Sequence, residues 1–403
     1  MTYWRKNLFI MWVCQFLAMV GMSSIVPFLP LFVRELGVTD LKEAANWSGF
    51  VFAGPFFVSF FLAPVWGSLG DKYGRKIMTL RAVFGLALAQ VIIGFSGNVT
   101  HLFIGRMLQG ALSGFLPAAM ALVAANTPEE KTGYALGLLQ SANAAGTVLG
   151  PLIGGVVSDL IGFRNVFFFV AGLIFLSGLL VLFFVKEEAK VEGNEKYSFM
   201  QNWKYLLQKK SLLIPSLMIT LAALGVSFVR PIFVFYVETL KINTNMLPTI
   251  TGALYSIVGI FSIISAAWWG RRVEKTGLRK NLIYASVITA ITYMLHSIIS
   301  DPFILIPVRI MLGFGIGALM PLLFTAISTN ITVDRRGGVL GVASSFQIIG
   351  NMVGPIAGGL SVGLFGLRFS FLLTGTFYLL LCIMSFLYVR DKPEPQQISE
   401  LLN

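Results

Sequence analysis

Two segments of the chain read almost alike: Gly146-Thr-Val-Leu-Gly150-Pro151-Leu-Ile-Gly154-Gly155 and Gly350-Asn-Met-Val-Gly354-Pro355-Ile-Ala-Gly358-Gly359. Glycines four apart fall on one face of a helix and leave it smooth enough for a second backbone to approach. The proline removes one backbone hydrogen bond and kinks the helix. Slid on itself by 203 or 204 residues, the rest of the sequence matches as well. Pro27 to Leu36 lies over Pro231 to Leu240, and Trp66 to Gly74 over Trp269 to Gly277. Arg106, Gly110 and Gly114 fall on Arg309, Gly313 and Gly317, and Gly162 and Arg164 on Gly366 and Arg368. The chain is an internal duplication.

The composition says what is duplicated. Hydrophobic residues make up 56% of the 403 and charged residues 12%, about half the charge of ordinary soluble domains. Apart from His, twelve stretches of at least 19 residues, from 7–33 to 369–389, carry no charge. Each suffices for a membrane span of about 20 residues. Spans near 101–126, 211–237 and 303–329 run across Arg106, Arg230 and Arg309. The sequence therefore predicts an all-α membrane protein of twelve transmembrane helices in two pseudo-symmetric six-helix bundles, 1–185 and 211–390. Residues 186–210 form a charged connector with an amphipathic helix expected at Phe199–Leu207, lying at the membrane interface, and 391–403 form a polar tail. Six spans separate the repeat pairs, which makes the repeat parallel. Such halves hold a substrate cavity at their interface and expose it alternately by rocking.

The net charge of +12 is an orientation signal rather than a nucleic-acid footprint. With the N-terminus inside, cytoplasmic segments hold 22 Lys and Arg against five outside, which places both termini in the cytoplasm. The short basic start, Met1 to Lys6, leads into an apolar run too long for a signal-peptide core. Cys14 and Cys382 lie in apolar segments and suggest neither a disulfide framework nor a metal site.

The loop after the second span reads Gly67-Ser-Leu-Gly70-Asp71-Lys-Tyr-Gly74-Arg75-Lys76. Its glycines permit a tight turn, and Asp71 is a carboxylate placed to cap a helix N-terminus of the other half, at span eleven near Gly338. This loop resembles the loop 2–3 motif of the major facilitator superfamily, Arg106 to Gly110 resembles its fourth-helix motif, and Gly146 to Gly155 its fifth-helix motif. The resemblance spans the whole chain and points to the twelve-span drug:proton antiporter branch. It implies a monomeric inner-membrane exporter of a small-molecule substrate, with protons as coupling ion, the lipid bilayer as surroundings and no nucleic-acid partner. No cofactor or metal is implied.

The resemblance ties Arg106 to proton movement, with Asp71 a second coupling candidate; a structural Arg bonded to backbone carbonyls is the competing reading. An Arg at mid-bilayer costs at least ~2.5 kcal/mol unless it finds partners or water. Arg309, its repeat mate, is expected to snorkel toward the outer interface. Gly146, Gly150, Pro151 and Gly154, with Gly354 and Pro355, are read as a hinge between halves or as plain packing. Arg230 has Val26 as its repeat mate, an asymmetry that makes it a cavity candidate or a structural charge at a kink. Gln109, Gln140, Asn143, Tyr236, Gln347 and Asn351 are further cavity candidates, with Gln15 and Asn126 beside them. The chain departs from many proton-coupled exporters in having no acid in span one or in mid-membrane. Glu35, Asp159, Glu238 and Asp301 fall at outer ends, and His101 and His296 near helix ends.

Transport of an anionic metabolite, such as a polycarboxylate siderophore or an organic phosphate, is the second reading, from Arg106 and Arg230. A membrane enzyme would need a catalytic constellation, and the two His are far apart with no HExxH and no clustered acids. A receptor or scaffold would bind without flux. The basic-residue bias gives a direct test of topology. In a Cys-free background, single Cys probes at Ser198 and Thr39 should label from opposite faces, and labelling of both from one face would overturn it.

Overall fold

The structure is a computed structural model that describes residues 3–187, 197–240 and 244–389, without the side chains of Asp71, Thr244 and Val333. Residues 188–196 of the expected connector and the expected tail lie outside the described residues. All regular structure among the described residues is helical. In order these are α1 (Tyr3–Ser24), α2 (Leu29–Glu35), α3 (Leu41–Tyr73), α4 (Arg75–Gly94), α5 (Val99–Ala111), α6 (Phe115–Ala125), α7 (Glu129–Ile161) and α8 (Phe163–Phe184). Then follow α9 (Phe199–Gln208), α10 (Lys210–Phe228), α11 (Phe233–Glu238), α12 (Leu247–Thr276), α13 (Leu278–His296), α14 (Pro302–Ser328), α15 (Arg336–Phe365) and α16 (Leu367–Tyr388).

Among the described residues, eleven segments are long and apolar enough to cross a membrane, α5 and α6 together forming one of them. The remaining expected span corresponds to α13. It is 19 residues long but carries Asn281, Ser286, Thr289, Thr292 and His296, all buried, so its polar groups turn inward while its composition falls short of the others.

The chain divides into two compact units. One comprises Met1–Gly193 with Phe233–Glu238 and Ile242–Ser256; the other comprises Asn194–Ile232, Thr239–Lys241 and Ile257–Asn403. In the first, α1 runs along α7, α4 along α8 and α3 along α5. In the second, α10 runs along α15 and α13 along α16 and α14.

Lipid tails are as apolar as leucine, so helices in a membrane are held together by close packing and hydrogen bonds. The glycine row of α7 supplies the closeness. A Cβ added at Gly146 would lie 2.8 Å from Phe16 O, and one at Gly150 2.7 Å from Val20 O; one at Gly154 would collide with Ser24 O. In the second unit the same row meets α10: Gly350 on Thr220 O, at 2.5 Å, Gly354 on Leu224 O, at 2.6 Å, and Gly358 on Phe228 O. Each partner carbonyl also sits 204 positions from its mate, so the duplication is preserved contact by contact.

Proline explains where two expected spans divide. Residues 7–33 and 211–237 each read as one apolar run, yet α1 stops at Ser24 and α10 at Phe228. Pro27 and Pro231 have no N–H for the carbonyls of Ser23 and Ser227. Those carbonyls accept instead from Val26 N and Arg230 N, both at 3.2 Å. The run 101–126 divides at Gly114, which turns the chain with φ +109° between α5 and α6; Pro117 there leaves the Ser113 carbonyl without its usual N–H, as Pro321 does for Gly317 inside the unbroken α14.

The expected amphipathic helix is α9. It opens with a capping box formed by Ser198 and Gln201. Rather than lying on the interface alone, it is fastened to α15. Asn202 and Leu206 are buried, Asn202 closes on Gly338, Trp203 stacks on Phe346 with centroids 5.5 Å apart, and Arg335 lies 4.5 Å over Tyr205. Phe199, Met200 and Leu207 stay exposed, Phe199 edge-on against Trp203.

Forcing these helices apart costs about 1–3 kcal/mol. Gly150→Ala and Gly354→Ala should therefore each lower the unfolding midpoint of detergent-purified protein. Gly137→Ala, at a position with nothing within 4 Å, should not. Equal midpoints for all three would remove the close-packing argument.

Candidate functional site

Arg106 is on α5 of the first unit and is buried, at 8% exposure. Its Nη1 donates to Gln109 Oε1 at 2.7 Å and its Nε to the Val51 carbonyl at 3.2 Å. Gln109 in turn donates to Met22 Sδ at 3.3 Å. The i, i+3 spacing of Arg106 and Gln109 puts both on one helix face, and the chain of contacts joins α5 to α3 and α1. A neutral side-chain amide and a backbone carbonyl are thus among the partners that hold this guanidinium.

The other cavity candidates are spread out. On α7, Gln140 is exposed and Asn143 half-buried, and Asn143 Oδ1 has no hydrogen-bond partner among the described residues. Gln15 is fully buried on α1, with its amide unpartnered among the described residues. Asn126 donates to the Lys186 carbonyl at 3.2 Å. Tyr236 belongs to the first unit and has no exposed surface, packing against Phe233. In the second unit, Arg230 is half-buried at the break after α10, Gln347 is half-buried on α15, and Asn351 accepts from Ser227 Oγ at 2.5 Å. Arg309 does not reach the surface; it is buried, at 3% exposure. His296, expected near a helix end, is the last residue of α13 and fully buried, its ring stacked on Phe371 at 5.4 Å.

The loop motif is built differently from its expected tight turn. Gly67 and Gly70 lie inside α3, and Gly74 alone makes the corner, with φ +98° and ψ 149°, a conformation almost confined to glycine. The side chain of Asp71 lies outside the described set. The carboxylate that does act here is Glu187, just beyond α8. It accepts from Arg75 N at 2.8 Å and Lys76 N at 3.1 Å, filling the orphan donors at the start of α4. The motif's cations reach the opposite way: Arg75 Nη1 donates to the Ala121 carbonyl at 3.0 Å and Lys76 Nζ to the Leu182 carbonyl at 2.9 Å. Leu182 is in the last turn of α8, where a cation is favourable. Three helix ends are thereby gathered at one corner.

Arg81, on α4, is a second contributor that the sequence did not single out. Its Nη2 donates to the Ser113 carbonyl at 2.8 Å, the group orphaned by Pro117, and its guanidinium lies 3.7 Å over Trp66. Trp66 donates to the Ala111 carbonyl at 2.9 Å. The signal was the proline four residues beyond a carbonyl. Two acids placed at outer helix ends also have partners within the first unit. Glu238 takes both its oxygens to Arg34 Nη1, at 2.9 and 2.7 Å. Asp159 accepts from Thr249 N at 3.1 Å, at the start of α12.

Comparison with known proteins bears on what this arrangement serves. The sequence model of the Major Facilitator Superfamily matches residues 11–294 and 216–401. The chain belongs to that superfamily. It is accordingly a multi-pass membrane transporter and not an enzyme. It is 38% identical to the multidrug resistance protein MdtG of Enterobacter lignolyticus, over 92% of this chain and 89% of that one. It is 36% identical to the MdtG of Klebsiella pneumoniae, over 96% and 94%. Among solved structures, a bacterial homologue of the human lysosomal transporter Spinster superposes with TM-score 0.80 at 15% identity, covering 98% of this chain and 99% of that one. The nucleoside transporter NupG gives 0.81 at 13%, covering 95% and 100%. These two likenesses concern the fold alone; the expected resemblance to multidrug transporters of this superfamily is borne out by the MdtG relatives.

Removing the carboxylate cap of α4 should loosen its first turn. A cap of this kind is worth about 0.5–2 kcal/mol, so Glu187→Ala should speed amide exchange at 75–79 by roughly two- to thirtyfold. Glu187→Gln, which keeps an acceptor and loses the charge, should fall between. Unchanged exchange in both would show that the cap contributes nothing.

Proposed function

We propose that the protein is a secondary active multidrug exporter, coupled to protons and working by alternating access. The observation that carries this reading is the full-length likeness, at 34–38% identity, to chains named multidrug resistance protein MdtG. In this reading α13 is the twelfth span, both termini are cytoplasmic, and the protein is a monomer of the inner membrane. The glycine–carbonyl contacts of α1 with α7 and of α10 with α15 support two helix pairs that move as stiff bodies. Arg106, held by Gln109, is the proposed coupling residue, and Asp71 the proposed conformational residue of the loop. The contacts Arg34–Glu238 and Asp159–Thr249 are proposed to break and re-form during the cycle.

A second reading, export or uptake of an anionic metabolite, is favoured by one feature. Arg106 on α5, Arg309 on α14 and Arg230 at the break after α10 lie along the apolar segments, whose middles carry no Asp or Glu. In a partly dehydrated cavity such charges attract anions and repel permanent cations more strongly than in water.

Flux into everted vesicles separates the two. With matched cationic, neutral and anionic amphipathic compounds, with and without an imposed proton gradient, the exporter reading expects gradient-dependent uptake of several chemically unrelated compounds. Arg230→Ala should reduce anion uptake more than neutral uptake. Transport of a single anion class, or flux indifferent to the gradient, would displace the leading reading.

A further inference from the structure

The N-terminal ends of α1 and α7 line a half-open cavity of about 710 Å³, which none of the candidate residues above lines. Helix register builds its walls. Trp4, Leu8 and Trp12 recur every four residues on α1, and Glu130, Tyr134 and Leu138 do so on α7. Arg5, Glu130 and Lys131 lie in the first turns of their helices, so charge collects at one end and apolar surface lies beyond it. The deep end is held in place: the Trp12 indole N–H donates to Ser141 Oγ at 3.1 Å, and its ring stacks on Phe16 at 5.6 Å. Phe9 and Tyr134 remain widely exposed over the cavity, at 64% and 65%.

The volume lies within the range of about 300–1,000 Å³ usual for small-molecule sites, which combine aromatic walls with a few polar groups. Two cations against one carboxylate leave the rim with one excess positive charge. Exposed rim charges each contribute little, so ring contacts supply most of the affinity and the rim supplies the choice of sign. Arg5 lies over the Trp4 ring at 5.3 Å, which limits the wandering of its guanidinium at the mouth.

We propose that this cavity binds amphipathic aromatic anions, a flat ring system against Trp12, Phe9 and Tyr134 with its acidic group toward Arg5 and Lys131. Its role as a loading site, upstream of the interior, rests on the transporter reading; the binding itself does not.

Anthracene-9-carboxylate absorbs where tryptophan emits, so its binding to the full chain in phosphatidylcholine nanodiscs reads out as energy transfer. Saturable transfer is expected. Trp4→Phe with Trp12→Phe should remove most of it while probe anisotropy reports an affinity changed less than about threefold, since Phe keeps the ring contact. Tyr134→Ala should raise Kd roughly three- to tenfold. Arg5→Gln with Lys131→Gln should weaken the carboxylate and leave neutral anthracene-9-methanol unchanged. Undiminished transfer in the double Trp variant, an unchanged Kd in Tyr134→Ala, or tighter binding of a cationic anthracene amine would overturn the proposal. Competitive displacement by phosphatidylglycerol in the discs would make an anionic lipid the occupant and overturn it too. The measurement needs no gradient. Binding without flux would leave this site standing and remove the exporter reading; flux of the other compounds without this binding would do the reverse.

Discussion

A missing side chain holds this molecule together. At three places where α7 meets α1, and at three where α15 meets α10, the contact is a glycine against a backbone carbonyl. With no hydrophobic force between helices in lipid, dispersion and weak Cα–H···O contacts must supply the attraction, and both fall off steeply with distance. The same device recurs where Gly110 meets Pro55 and Gly313 meets Val258 O. The aromatic contacts follow once the backbones are seated. Trp66 reaches the Ala111 carbonyl and Trp269 the Phe314 carbonyl, both at 2.9 Å.

A second constraint acts on the polar backbone. In lipid every carbonyl needs a donor, and each helix break frees several. The repeats agree at Pro27 and Pro231 but differ farther on. Gly114 opens a break between α5 and α6, whereas its mate Gly317 stays inside the continuous α14, packed on Ser262 O. Arg81 is present only on the side that has the break; its mates by offset are Tyr284 and Ala285. Pro321, the mate of Pro117, likewise has no N–H for the Gly317 carbonyl yet lies inside α14, so the break goes with the left-handed backbone of Gly114 and the donor Arg81 rather than with the proline alone. Helix α4 shows the same logic along its length, with Glu187 at its first amides and Arg164 Nη1 on the Gly94 carbonyl, at 2.7 Å, at its end.

Much of this was legible because apolar length and glycine spacing act locally. The duplication, the apolar segments, the amphipathic helix and the superfamily all follow from residues read in order. Tertiary pairing was not legible. Nothing near Glu187 in the sequence announces that it will cap a helix beginning at Arg75, more than a hundred residues earlier. Arg309 has the same surroundings in sequence as a snorkelling arginine, and only the packed structure buries it. Helix α13 was legible as an uncharged segment, while its inward polar residues became meaningful only with neighbours in place. The divisions at Ser24 and Phe228 were hidden because hydropathy is blind to a missing N–H.

The docking of α9 has a consequence for synthesis. Trp203 and Asn202 find their partners on Phe346 and Gly338, and Phe346 emerges 143 residues after Trp203. At about 5–20 residues per second the helix waits on the order of ten seconds without its seat. During that interval Phe199, Met200 and Leu207 give it a lipid-facing side on which to rest. The connector is thus the earliest part of the second unit to be made and one of the last to be fastened, and its capping box lets it keep its shape in the meantime.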